Sequence, residues 1–228
     1  MKALSPHPWQ VSPAQAQQIQ RELAFRVVKE DRLGEVRLVA GADISRPDAQ
    51  GLAAASVVVL SYPELSLVES RTIRKRVSFP YIPGLLSFRE CPPVLAAWEK
   101  LEAKPDLLLV DGQGLAHPRR LGLACHLGIL LGIPSIGCAK SLLCGKHGEV
   151  GPNPGDWAEV RDEEEVLGVA LRTKAGVSPV YVSIGHRVSL GTAITWVKAC
   201  CRGLRIPEPL RLAHQAASGR TKVPIPSL

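Results

Sequence analysis

Two aspartates have the surroundings of site residues. Asp43 lies in Gly41-Ala42-Asp43-Ile44-Ser45, among small and apolar neighbours, and Asp111 closes the apolar run 107–110 ahead of Gly112-Gln113-Gly114. A carboxylate in such company is poorly solvated unless it is paired or holds a metal; the plainer alternative is an aspartate that starts a turn at a strand end. A short, wholly apolar run reads as a strand buried on both faces, which puts Asp111 at the carboxyl edge where open α/β sheets place their sites. Gly112 and Gly114 let the backbone approach a ligand closely. Two such acids, with a third from a helix, suit a site in which hard divalent ions ~3.5–4 Å apart clamp the attacking and leaving oxygens of a phosphodiester. Carboxylate and water ligands favour Mg²⁺. No GxGxxG or P-loop pattern points to a nucleotide cofactor, and no helical HxxxH pair points to zinc.

The stretch 79–90, Phe-Pro-Tyr-Ile-Pro-Gly-Leu-Leu-Ser-Phe-Arg-Glu, is strongly apolar yet punctuated by Pro80, Pro83 and Gly84. It reads as a stiff loop rather than a strand or helix. Such a loop exposing Tyr81 and Ile82 is suited to wedging between stacked bases. Its aromatic residues could equally cap the core, and the residues alone leave both readings open.

The elements that must carry these groups follow from pattern. Ser12, Pro13 and Gln15 form a helix start with a capping box, and Ile19, Leu23 and Val27 share the helix face. Residues 36–44, 55–60 and 67–77 read as three strands separated by short turn-rich pieces, hence antiparallel. A helix is expected over 88–101 with Pro92 and Pro93 in its first turn, then a strand at 107–110, a helix over 120–131 and a buried strand at 133–138. A polar loop follows around 147–156, the acidic run 162–165 reads as solvated loop, and 166–172 with 180–184 reads as a hairpin. Helices near 190–203 and 209–218 close the chain, with 221–228 as a tail. Three antiparallel strands followed by alternating helices and buried strands define an α/β class: a ribonuclease H-like mixed sheet, three antiparallel strands then parallel ones, flanked by helices. The 228 residues show no repeat and no linker, so a single domain is expected.

Lys and Arg outnumber Asp and Glu by 28 to 21, a net charge of +7 with a pI near 9.3. That balance favours polyanionic partners, nucleic acid among them, though a basic soluble enzyme would show it too. Arg74, Lys75, Arg76, Arg119, Arg120 and Arg187 are candidates to follow a phosphate backbone. No run reaches the ~20 apolar residues of a membrane span, and the first 20 residues lack the apolar core of a secretory signal. The six cysteines form no CxxC pair and read as free thiols of a cytoplasmic protein.

The motifs together resemble the endonuclease V family. The resemblance rests on Gly41-Ala42-Asp43-Ile44-Ser45, Pro80-Tyr81-Ile82-Pro83-Gly84-Leu85-Leu86 with Phe88-Arg89-Glu90, and Val110-Asp111-Gly112-Gln113-Gly114 with His117-Pro118-Arg119. The stretches 132–140 and 183–189 extend it, so that it runs in order from about residue 40 to 215. It implies a repair nuclease that recognises deoxyinosine, a deaminated adenine, and cuts the second phosphodiester 3′ to the lesion with Mg²⁺, for which Mn²⁺ substitutes. It gives Asp43, Glu90 and Asp111 as catalytic, metal-holding carboxylates, and Pro80, Tyr81, Ile82 and Pro83 as a strand-separating wedge. Gly84, Leu85 and Gly112, with backbone near 141–143, would line the pocket for the everted base. Lys140 would stand near the scissile phosphate and His214 beside the metals, although each alone reads as a plain surface residue. His117 would touch phosphate or cap a helix. The expected partner is DNA containing deoxyinosine, bound by a monomer. The rivals are an inosine-specific endoribonuclease of the same fold and a non-catalytic binder of damaged or branched DNA.

Overall fold

The computed structural model describes residue 4 and residues 6–220; the tail expected at 221–228 lies outside them. The first helix, α1 (Pro13–Ala24), starts as its sequence dictates. The Ser12 hydroxyl accepts the Gln15 N–H while the Gln15 side chain accepts the Ser12 N–H, closing a capping box behind Pro13. Its buried face is Ala16, Gln20 and Leu23, so one polar side chain is carried inward with the apolar ones.

Strands β1 (Leu38–Ile44), β2 (Leu52–Ser61) and β3 (Leu67–Arg76) form the expected antiparallel meander. Helix α2 (Leu86–Trp98) leads to β4 (Leu107–Val110), and α3 (Leu123–Leu131) to β5 (Ser135–Ala139). Both β4 and β5 join the sheet parallel to β1, as a buried strand reached by a helical crossover should. The chain then adds β6 (Lys146–His147), β7 (Trp157–Asp162), β8 (Glu165–Leu171) and β9 (Val180–His186) before α4 (Leu190–Ala199) and α5 (Glu208–Ala217). The nine strands lie in the order β3-β2-β1-β4-β5-β9-β8-β7-β6. Beyond the parallel centre the sheet turns antiparallel again, because β9 pairs against β5 and the remaining strands follow as hairpins.

Two expectations are corrected here. The loop expected around 147–156 holds from 148 to 156, but two strands flank it: in β7, covered at the sheet edge by the two-residue β6, only Val160 is fully buried, so one inward side chain left little periodic signal. Pro92 and Pro93 sit in the middle of α2, not in its first turn. The helix begins two residues before the expected 88, at Leu86, and contains Glu90 as expected.

Alternate residues of β1 face opposite layers. Ala40 and Ala42 pack with Val94, Leu95 and Trp98 of α2, whereas Val39 belongs with Leu210 of α5 on the other face. Gly41 is where α5 lies closest: a Cβ there would stand 2.2 Å from the Pro209 carbonyl oxygen. Gly41→Ala is therefore expected to lift α5 off the sheet and cost about 1–3 kcal/mol, a fall in melting temperature of roughly 5 °C for a chain of this size. An unchanged thermal melt would show that α5 is not seated there.

Candidate metal centre and base cavity

The parallel pairing of β1 and β4 sets Ala42 beside Val110, so Asp43 and Asp111 follow at adjacent strand ends. The Asp111 N–H donates to the Ala42 carbonyl at 3.2 Å, which fixes the turn out of β4. Helix α5 brings His214 to the same place, its Nδ1–H donating to Asp43 Oδ2 at 2.7 Å. Lys140, just past β5, pairs with Asp111 Oδ2. Asp43, Asp111 and His214 each offer a ligand atom within 4.8 Å of the others. Glu90, on α2, is outside that cluster but close enough to feel both aspartates.

Electrostatics show what this group lacks. Burial, followed by the charges of Asp43 and Asp111, pushes Glu90 up to about 8, with Arg89 opposing only in part. Asp43 is raised by burial and by Asp111, against the His214 hydrogen bond, the Ile44 N–H and Lys140. Three carboxylates share one ammonium group, so a divalent cation would relieve the repulsion. Carboxylate oxygens also suit a hard ion. The residues present fit a metal, with Asp43, Asp111 and His214 placed to hold it and Glu90 at its margin.

The loop before α2 divides the two roles left open by its sequence. Phe79, Leu85 and Phe88 form an apolar cluster with Ala16, and Ile82 packs against it together with Trp9, Val11 and Ile19. Tyr81 instead projects, 71% exposed, with Pro80 and Pro83 exposed beside it. The loop is pinned at both ends. At its start, Arg89 Nη1 donates to the Phe79 carbonyl at 2.7 Å. At its end, the Gly84 carbonyl accepts three donors: Arg119 Nη2 at 2.6 Å, His117 Nε2 at 2.8 Å and Gln20 Nε2 at 3.0 Å. Arg119 Nε also donates to Gln20 Oε1 at 2.6 Å, closing the network.

His117 is accordingly buried and bonded at both nitrogens, Nδ1 accepting the Arg119 N–H at 3.1 Å. Burial, chiefly, pushes it down to about 4, so it stays neutral. Neither nitrogen is free for a phosphate. Most of the other basic candidates are also committed: Arg74 to Asp48, Arg120 to Asp162 and Glu165, and Arg187 to the Gly132 carbonyl. The acidic run 162–165 is exposed as expected at Glu163 and Glu164, while its ends, Asp162 and Glu165, pair with Arg120.

Beside Asp111 and Lys140 opens a cavity of about 330 Å³, lined by Pro83, Gly84, Ser87, Gly112, Gln113, Leu123 and Leu143 among others. That is within the usual range of small-molecule sites, roughly 300–1,000 Å³. Leu85 is not among its walls: it is 1% exposed in the apolar cluster, and Leu86 faces the cavity in its place. Gln113 Nε2 donates to the Ser141 carbonyl at 2.7 Å, which fixes the amide. Gln113 Oε1 and Ser87 Oγ are buried without a partner, an arrangement proteins rarely tolerate without use. Gln20, Ser87, Gln113 and the inward role of Arg119 escaped the sequence reading, and only the unusual burial of polar side chains reveals them.

A mixed sheet with carboxylates at adjacent strand ends, beside a loop-walled cavity, defines a metal-dependent nuclease of ribonuclease H-like fold. The endonuclease V family model matches residues 21–215. An endonuclease V of Trichormus variabilis is 49% identical over 221 residues, spanning 96% of this chain and 100% of that protein. The crystal structure of endonuclease V from Streptomyces avermitilis superposes with a TM-score of 0.88 at 39% identity, covering 96% of this chain and 97% of that one. Endonuclease V of Ciona intestinalis, solved in complex with a 24mer DNA containing an inosine followed by a ribo-adenosine, is 34% identical with a TM-score of 0.81, covering 91% and 96%. The chain belongs to the endonuclease V family. No helix among the described residues is long and apolar enough to cross a membrane.

Proposed function

We propose that the protein recognises deoxyinosine in DNA and hydrolyses the second phosphodiester 3′ to it with Mg²⁺. The observation that carries this reading is the cavity with its unpartnered Gln113 Oε1 beside the carboxylates. Hypoxanthine presents an N1–H donor and an O6 acceptor, where adenine presents an N1 acceptor and an N6 amino donor. A glutamine held by Ser141 so that its oxygen is the free atom accepts the N1–H of the first base, whereas facing N1 of the second it meets a lone pair. The Ser87 hydroxyl supplies a donor for O6.

Asp43 and Asp111 would hold the ion, with Glu90 completing its oxygen ligands. When bound, Mg²⁺ supplies Lewis-acid charge stabilisation and a nucleophile at neutral pH. Tyr81 enters the stack where the base leaves, on a loop whose ends are fixed by Arg89 and by the donors on Gly84. Lys140, paired with Asp111 Oδ2, is placed to reach the scissile phosphate. His214 holds the Asp43 carboxylate in orientation. The chain acts as a single-domain monomer in the cytoplasm under this reading.

An inosine-containing RNA strand is the second substrate to weigh, because the Ciona intestinalis protein was solved on a strand with a ribo-adenosine after the inosine. Incubating matched deoxyinosine and inosine strands with Mg²⁺, and again with EDTA, tests both. One cut two linkages 3′ of deoxyinosine, abolished by EDTA, is the expected result. Exclusive cutting of the RNA strand would reverse the substrate, and cutting that survives EDTA would end the metal reading.

A further inference from the structure

A second cavity, about 600 Å³, opens against Glu90, with Arg46, Arg89 and Tyr81 also in its wall. Tyr81 borders both cavities, whereas Asp111 borders only the first and Glu90 only the second. The acid group therefore lies between them, and a strand crossing it enters one and leaves through the other.

The second cavity differs in charge from the first. Arg46 is exposed, and among the described residues its guanidinium has no carboxylate and no hydrogen-bond acceptor. Arg89 spends one nitrogen on the Phe79 carbonyl. Two guanidinium groups thus border a hollow beside the acids with donors to spare, while Arg74, Arg119, Arg120 and Arg187 are bonded within the protein. Guanidinium forks match phosphate oxygens.

We propose that this cavity is the exit site for the substrate strand, in which Arg46 and Arg89 hold the phosphate immediately 3′ of the scissile one. The assignment rests on the reading above that the lesion occupies the first cavity and the cut falls 3′ of it. With the base in the first cavity, the chain runs 5′ to 3′ across Asp111, Asp43 and Glu90, and the segment beyond the cut has only the Glu90 side left. The ligand is an internucleotide phosphate on the downstream strand, and Arg46 is its most accessible anchor.

The test pairs protein and backbone changes. Single-stranded deoxyinosine oligonucleotides carrying one uncharged methylphosphonate at successive linkages are titrated against wild type and Arg46→Ala, by fluorescence anisotropy in EDTA so that nothing is cut. In wild type, neutralising the third linkage 3′ of the lesion is expected to weaken binding about tenfold, the worth of a charge-assisted hydrogen bond. In Arg46→Ala the same replacement should cost less than about twofold, with the other linkages unaffected by the variant. Arg46 is exposed, so the variant folds; Arg46→Lys, keeping charge without the fork, should restore part of the coupling. Losses that simply add, or coupling to a linkage 5′ of the lesion, overturn the assignment. Mapping the cut on the unmodified strand with Mg²⁺ separates the two claims. A correctly placed cut with no coupling sinks the exit site alone, whereas no cut near deoxyinosine sinks the function on which it rests.

Discussion

Glu90→Gln is expected to abolish cleavage, by roughly 10³-fold or more, while raising the melting temperature of the metal-free protein. The two effects share a cause. Glu90 is pushed from its ordinary 4.5 to about 8 by burial and by the two aspartates, so the folded chain holds a proton there that the unfolded chain has lost. Where the folded state binds more protons, stability falls as pH rises. The metal-free wild type should therefore lose stability between about pH 4.5 and pH 8 and level off above. Glutamine carries no charge to titrate, so this part of the slope disappears in the variant. At about pH 8.5 in EDTA the variant should melt several degrees higher, at about 2–4 °C for each kcal/mol removed. Adding Mg²⁺ should stabilise wild type more than the variant, because binding to the folded state alone is read as stability. Thermal melts from pH 5 to 9, with EDTA and with Mg²⁺, check each arm. A variant that melts below wild type at pH 8.5, or that still cuts, would take Glu90 out of the acid group.

This antagonism between stability and activity explains what the sequence could and could not disclose. Asp43 and Asp111 were legible because each ends a run whose period and burial identify a central strand, and parallel neighbours in a sheet bring such ends together. Glu90 was not legible in that way. It falls inside the helix expected over 88–101, but its place beside the aspartates depends on how α2 packs on the sheet through Val94, Leu95 and Trp98, which no local pattern gives. Only the motif in which it sits tied it to the aspartates, and even so it stands at the edge of their cluster. His214 is set further still by tertiary packing: it reaches Asp43 because Gly41 admits α5 against β1, a contact 168 positions along the chain from Gly41 to Pro209 that no local pattern encodes.

Polar burial was the main blind spot. Gln20 is carried into the interior on the apolar face of α1, where spacing predicts only hydrophobic side chains. It makes its contacts with Gly84, Leu121 and Arg119, 64 to 101 positions away. The basic residues misled for the converse reason. A positive charge in sequence says nothing about whether a carboxylate or carbonyl already claims it, and in Arg74, Arg119, Arg120 and Arg187 one does. Arg46, isolated in a turn, drew no notice, yet with Arg89 it has free donors beside the site.

Tyr81→Ala is expected to cut activity on duplex deoxyinosine by about 10- to 100-fold, and on the same strand without its complement by less than about threefold. The difference arises because opening a paired, stacked base costs a few kcal/mol, least where the base is already unpaired. Tyr81 can offset that cost only if it is held out rigidly. Its loop is stiffened by Pro80 and Pro83, seated on Phe79 and Leu85, and fixed by the bonds to the Phe79 and Gly84 carbonyls. The same bonds predict a second variant with the same signature: Arg119→Met removes a donor from Gly84 and the partner of Gln20 Oε1, and leaves Tyr81 chemically intact. It should lose selectively on duplex too, together with about 1–3 kcal/mol of stability from the buried amide oxygen left unpaired. Single-turnover rates on the two substrates decide the matter. Equal losses on duplex and single strand would make Tyr81 a pocket wall rather than a wedge, and a duplex-selective loss in Tyr81→Ala without one in Arg119→Met would show that the wedge works without its anchor.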